Sequence, residues 1–294
     1  MPAGAYSLIR RPLPYSEPFM SNSQLLYGAN VRANGIRQHY LRYGGADGER
    51  ASRDPVIVVP GITSPAITWG FVGERLGRHF DTYVLDVRGR GLSSAAPGLD
   101  YSLDAQAEDL IALAEALGLA RASVVGHSMG ARIGLRAARI GMPAMARLVA
   151  VDPPVSGPGR RPYPAKLPWY VDSMKAARAG MDWAAMREYC PTWTEEQLRL
   201  RAEWLHTCDE EAVLASFEGF HTDDIHADLP AIRQPVLLMT AERGGVVEDA
   251  DVAELGRHLA SMQTVRVPGA GHMIPWDNEE GFYQAFGTFL GVSI

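Results

Sequence analysis

The stretch Ala122-Ser-Val-Val-Gly-His-Ser-Met-Gly130, running on into Ala131-Arg-Ile-Gly-Leu-Arg-Ala-Ala-Arg139, decides how the rest of the chain is read. Its first part is apolar without alternation, which suits a strand buried on both faces, and its last part is compatible with a helix. Between them, Gly126-His127-Ser128-Met129-Gly130 fits the Gly-x-Ser-x-Gly pattern of a nucleophile elbow. Small residues there let a sharp strand-to-helix turn lift a serine hydroxyl clear of a sheet. Composition alone also produces such a pentapeptide, so the setting carries the weight: a strand before it and a helix after it are what the strained turn requires.

Working outward, the same texture recurs. Short, β-branched, apolar segments appear at residues 36–43, at Pro55-Val-Ile-Val-Val-Pro60, Thr82-Tyr-Val-Leu-Asp86, Leu148-Val-Ala-Val-Asp152, Pro235-Val-Leu-Leu-Met239 and Gln263-Thr-Val-Arg-Val267. Helical stretches intervene, as at 102–117, where apolar residues fall at 103, 107, 110, 111, 114 and 117, with Ser102 placed to cap the start and Gly118 the end. Alternating strands and helices imply an α/β fold with a mostly parallel sheet. After Asp152 the chain turns to Pro153, Pro154, Pro158, Pro162, Pro164 and Pro168, then to amphipathic segments rich in Trp, Tyr and Met. Thr194-Glu-Glu-Gln197 is a capping-box signature for a helix ending near Leu205, and a last helix is expected over 278–290. We therefore expect an N-terminal arm over 1–28, a core over 29–152 and 231–294, and an inserted helical cap over 153–230.

The bulk properties exclude several classes. With 294 residues, 47% hydrophobic and 21% charged, the chain suits a packed globule and not a disordered protein. A net charge of -6 and no Lys/Arg-rich stripe argue against nucleic acid as a partner. No run of 18 apolar residues occurs and the first residues lack an apolar signal core, so neither a membrane span nor a secretion signal is expected. The two cysteines, Cys190 and Cys208, make no disulfide framework and read as reduced thiols in the cytoplasm.

A serine hydroxyl is a weak nucleophile near neutral pH until a base takes its proton. His272, in Gly269-Ala-Gly-His-Met273 directly after the last strand pattern, is best placed to be that base, because ligand sites gather at the carboxyl ends of parallel strands. His127 is expected to pack, since adjacent side chains on an elbow point apart. The stretch His221-Thr-Asp-Asp-Ile-His226 lacks the i,i+4 zinc spacing, and no metal is expected. The carboxylate that orients the histidine commonly follows the strand at 235–239, yet the turn there reads Ala241-Glu-Arg-Gly-Gly-Val-Val and the acid's place holds Gly244. A related set of hydrolases carries the acid one strand earlier, and Asp152 stands there; a turn-forming Asp-Pro pair is the other reading, with Glu242 and Glu248 as substitutes. Backbone N–H groups of Met129 and of Ile62, in Pro60-Gly-Ile-Thr63, are the expected oxyanion donors. Together these features specify the α/β-hydrolase fold.

Beyond the fold, the chain resembles the N-formylmaleamate deformylase family of serine hydrolases in aerobic nicotinate breakdown. The stretches that carry the resemblance include Pro60-Gly-Ile-Thr-Ser-Pro-Ala-Ile-Thr-Trp69, Asp152-Pro-Pro-Val-Ser-Gly-Pro-Gly159, Leu167-Pro-Trp-Tyr-Val-Asp172, Arg201-Ala-Glu-Trp-Leu-His-Thr-Cys208 and Gly271-His-Met-Ile-Pro-Trp276. The resemblance implies a triad of Ser128, Asp152 and His272 and cleavage of the formyl C–N bond of a small carboxylate-bearing substrate, without metal or organic cofactor. A substrate carboxylate calls for an arginine fork, for which Arg132, Arg160, Arg161 and Arg243 are candidates, with Trp169 and Trp276 as further contacts. Two rivals share the scaffold, an esterase and a C–C hydrolase of ring-fission dienones; a third, from another class, is a ligand receptor that retains the triad.

Overall fold

The computed structural model describes residues 23–294. Strands β1 (Leu25–Ala33) and β2 (Ile36–Tyr43) come first, followed by β3 (Val56–Val59), α1 (Gly70–Gly77) and β4 (Thr82–Leu85). Helix α2 (Leu103–Ala116) leads to β5 (Ala122–His127), α3 (Met129–Ile140) and β6 (Met145–Val151). Four helices follow without an intervening strand: α4 (Leu167–Arg178), α5 (Trp183–Met186), α6 (Glu195–Trp204) and α7 (Glu210–Thr222). The chain then completes β7 (Val236–Ala241), α8 (Asp249–His258), β8 (Met262–Val267), α9 (Ile274–Asp277) and α10 (Glu279–Leu290).

The strands form one sheet in the order β1-β2-β4-β3-β5-β6-β7-β8. Strand β2 runs antiparallel to β1 and β4, and all pairs from β4 to β8 are parallel. The chain moves outward from β3 to β4 and then crosses to β5 on the other side of β3. That reversal opens a crevice at the carboxyl ends of β3 and β5, the usual place for a ligand in an open α/β sheet. Val56, Ile57, Val58 and Val59 are all 0% exposed, which explains an apolar run without alternation: both faces of β3 are covered. Each such side chain contributes about 1.5–3 kcal/mol by leaving water.

Local signals in the sequence appear as geometry. Ser102 accepts from the Ala105 N–H at 3.2 Å to cap α2, and Gly118 beyond its end has φ +67°, a conformation open to glycine. Thr194 and Gln197 form the reciprocal capping box of α6, and Asn278 caps α10. Residues 1–22 of the expected arm lie outside the described residues. Its last part differs from expectation, because Leu25 to Gly28 already pair with β2. An edge strand with Leu25, Leu26 and Tyr27 exposed buries too little to leave an apolar pattern, so the sequence concealed it. Among the described residues no helix is long and apolar enough to cross a membrane.

Candidate active site

Strand β5 delivers Ser128 at the sheet's carboxyl edge. Its φ of 55° and ψ of -117° lie in a region that non-glycine residues seldom occupy, and it is tied to the neighbouring strand by its N–H donating to Val151 O at 2.8 Å. The flanking glycines are what permit this. A Cβ on Gly126 would stand 2.3 Å from Gly130 O, and one on Gly130 would stand 1.9 Å from Val59 O. The first turn of α3 is thus pressed against the end of β3, and the loop after β3 reaches the serine: a Cβ on Gly61 would lie 3.6 Å from Ser128 Cβ.

Three strand ends then converge. Asp152, immediately after β6, is 1% exposed and is another of the few non-glycine residues with positive φ, at 44°. Its N–H donates to Met239 O at 2.8 Å, and its Oδ1 accepts from Ala241 N at 3.3 Å. Its Oδ2 lies 2.7 Å from His272 Nδ1, and His272 Nε2 lies 3.0 Å from Ser128 Oγ. A carboxylate can only accept, so Nδ1 carries the proton and Nε2 offers its lone pair to the serine hydroxyl. Gly244 does approach this histidine, since a Cβ there would stand 3.4 Å from His272 N, but its φ of +110° is hostile to any side chain. Glu242 instead accepts from Gly269 N, and Glu248 caps α8.

His127 faces away from the serine hydroxyl, with its Nε2 donating to the carbonyl of His272 at 2.9 Å and its ring packed on Trp69. Complete burial, reinforced by the neighbouring His272, pushes its pKa down to about 3, so it is neutral at ordinary pH. The Ile62 and Met129 N–H groups bond no protein acceptor among the described residues. The loop that carries Ile62 is braced by two arginines: Arg90 Nε donates to Ile62 O at 3.0 Å, and Arg201 Nη1 donates to Thr63 O at 3.1 Å.

Above the serine, residues from the segment between β6 and β7 help enclose a cavity of about 810 Å³ whose lining includes Ser128, His272, Tyr163, Trp169, Trp193 and Arg201. The lining is mostly apolar with a few convergent polar groups, as small-molecule sites usually are. Of the arginines singled out from sequence, only Arg243 lines it, and its Nε and Nη2 already donate to Gly269 O at 2.9 and 2.6 Å.

The other three candidates are corrected. Arg132 is buried beside a separate cavity of about 350 Å³, with its guanidinium donating to the carbonyls of Pro154, Ser156, Gly219 and Asp223. Arg160 forks onto Glu254, and Arg161 bonds Asp251 and the carbonyls of Gly245 and Val246. All three knit backbone or surface together, and none of them lines the cavity over Ser128. Trp169 lines the cavity, whereas Trp276 sits behind it, stacked on Trp193 with centroids 4.8 Å apart and edge-on to Trp69.

Sequence reasoning missed Arg201 and Tyr163. Arg201 is 2% exposed, has no carboxylate within ion-pair distance among the described residues, and donates from Nη1 and Nη2 to Thr63; its guanidinium also interacts with the Cys190 thiol, and its Nε is buried without a partner. Trp169 and Trp193 face its guanidinium at 5.8 and 5.6 Å. No local pattern distinguishes it from the neighbouring Arg199, which pairs with Glu195 on the surface.

The profile of the alpha/beta hydrolase fold matches residues 54–279. The chain belongs to the α/β-hydrolase family. This hydrolase is 61% identical over 268 residues to the N-formylmaleamate deformylase of Pseudomonas putida, covering 91% of this chain and 98% of that one. The crystal structure of an N-formylmaleamic acid deformylase from Pseudomonas putida S16 superposes with a TM-score of 0.84 at 54% identity, over 88% of this hydrolase and 100% of that chain. A more distant relative is the 2-(acetamidomethylene)succinate hydrolase of Mesorhizobium japonicum, 26% identical over 82% of this hydrolase and 90% of that one.

Proposed function

We propose that this hydrolase cleaves the formyl C–N bond of N-formylmaleamate, giving formate and maleamate, with Ser128 as nucleophile, His272 as general base and acid, and Asp152 as the carboxylate that orients it. The observation that carries the reading is the 61% identity to the Pseudomonas putida deformylase along nearly the whole chain, including the residues above the serine. The hydrogen-bonded series from Asp152 through His272 to Ser128 supports the assignment of roles.

In the proposed sequence, Ser128 Oγ attacks the formyl carbon while its proton passes to His272 Nε2. The Ile62 and Met129 N–H groups hold the oxyanion, aided by the N-terminal end of α3. Collapse breaks the C–N bond, and His272 returns the proton to the departing nitrogen. Water, activated by the same histidine, then hydrolyses the formyl-serine. Residues 153–230 act as a cap over a core that begins with β1 at Leu25 and comprises residues 25–152 and 231–294. Arg201 takes the substrate carboxylate, because it is a buried cation with no acid at ion-pair distance among the described residues, has an unpartnered Nε–H and lines the cavity. We also propose that the enzyme works in the cytoplasm with reduced cysteines; Cys190 and Cys208 are both buried and unbridged.

The test is product analysis by NMR after incubation with N-formylmaleamate. One formate and one maleamate per substrate support cleavage at the formyl carbon. Formamide and maleate, the products of attack at the other carbonyl of the imide, contradict it.

A further inference from the structure

His272 Nε2 has a second hydroxyl neighbour besides Ser128. Tyr163 Oη lies 3.4 Å from it, and Tyr170 Oη lies 3.2 Å from Tyr163 Oη. Both phenols are buried, Tyr163 lines the cavity over Ser128, and its ring is fixed against Phe220 with centroids 4.9 Å apart. A buried phenol normally has a hydrogen-bond partner, yet among the described residues neither of these donates to a carbonyl or carboxylate. The pair instead ends at the nitrogen that exchanges a proton with the reacting atoms. Tyr163 stands on the cap side of Ser128, whereas Ile62 and Met129 belong to the loop after β3 and the start of α3.

We propose that Tyr163 is a catalytic residue whose hydroxyl donates to the carbonyl oxygen of the leaving group, with Tyr170 donating in turn to Tyr163 Oη; the inference rests on the deformylase reading and deepens it. The leaving group of an N-formyl imide differs from that of an ester or simple amide in this respect. When the C–N bond breaks, the electron pair moves to a nitrogen bearing a second carbonyl, and the charge spreads onto that carbonyl's oxygen as an imidate. His272 Nε2–H supplies the proton to nitrogen, yielding neutral maleamate amide. A donor 3.4 Å from Nε2 is placed to hydrogen-bond the adjacent oxygen during that step, and Tyr163 keeps its own proton throughout. Burial, the leading cause, holds the Tyr163 phenol well above its usual range, and the same cause raises that of Tyr170, so both remain donors across the working pH range. Tyr170 donating to Tyr163 polarises the second O–H and strengthens the bond it gives. The arrangement would favour acyl imides over esters on this scaffold.

The test compares wild type, Tyr163→Phe and Tyr170→Phe on two substrates, N-formylmaleamate followed by formate release and p-nitrophenyl acetate followed by phenolate absorbance. The phenolate leaves without assistance, so the ester reports the triad and oxyanion donors alone. The inference expects Y163F to lower kcat on N-formylmaleamate about 100-fold, as for loss of one transition-state donor, while changing turnover of the ester less than about 3-fold. Y170F should give a smaller loss in the same direction. Equal losses on both substrates would make Tyr163 a prop for His272, and unchanged kinetics on the imide would make it a wall; either result overturns the inference and leaves the deformylase reading intact. Wild-type protein that turns over the ester but releases no formate from N-formylmaleamate overturns both.

Discussion

Replacing Arg201 by alanine should weaken capture of the substrate in proportion to what its unused donors supply. Two N–H groups hold Thr63, Nε is buried and unpaired, and no acid among the described residues neutralises the guanidinium, so the remaining donors are available for a bidentate carboxylate. A hydrogen bond to a charged group is worth about 1.5–3 kcal/mol, which predicts a loss in kcat/KM of about 10- to 150-fold. Alanine also releases Thr63 beside the loop that carries Ile62, so part of any loss could come from a displaced oxyanion donor. The methyl ester of N-formylmaleamate separates the two contributions, because it keeps the imide and removes the anion. R201A should lose the full 10- to 150-fold on the carboxylate substrate and clearly less on the methyl ester, and wild type should itself prefer the carboxylate. Arg201→Lys keeps a charge but not the planar fork and should fall between. Equal losses on carboxylate and ester, or none on either, would refute the assignment.

Other consequences follow from the same geometry. Gly130→Ala would place a Cβ 1.9 Å from Val59 O, a backbone atom that cannot step aside, and should cost at least about 3 kcal/mol, seen as a Tm lowered by about 6 °C or more; a Tm within 2 °C of wild type would refute the close approach. His127 should make the fold acid-sensitive. Its folded pKa of about 3 lies below the ordinary 6.5, so between these values the unfolded chain binds the proton and the native chain does not. Stability from this residue is complete above pH 6.5 and falls by about 1.4 kcal/mol per pH unit on the way down to about 3. Urea titrations of wild type and His127→Gln over that range should show the extra slope in wild type alone, and parallel slopes would contradict it.

Much of the fold was legible because each element carried its own mark. β3 and β5 announced themselves as unbroken apolar runs, α2 and α6 by their caps, and the elbow by glycines that admit no Cβ. The placing of Asp152 beside His272 was reachable by elimination, since Gly244 left the more common position without an acid. What stayed hidden was decided by tertiary burial. Arg132 and Arg201 are both arginines on helices, and nothing local records that one gives both terminal nitrogens to four carbonyls while the other keeps an unpartnered Nε and lines the cavity. Tyr163 lies in a proline-rich stretch without periodicity, so only the folded chain brings its hydroxyl to His272. β1 was missed for the opposite reason: exposed at the sheet edge, it needs no apolar pattern.

The measurement that bears most directly on the account is formate release from N-formylmaleamate by wild type, Ser128→Ala and Asp152→Asn, followed with a coupled formate assay. The account predicts rapid release by wild type, a loss of about 10⁴-fold or more in S128A, and a loss of about 10⁴-fold in D152N, where His272 is left in the wrong tautomer although the fold is retained. Wild-type protein that releases no formate, or a D152N variant that keeps wild-type turnover, would contradict it.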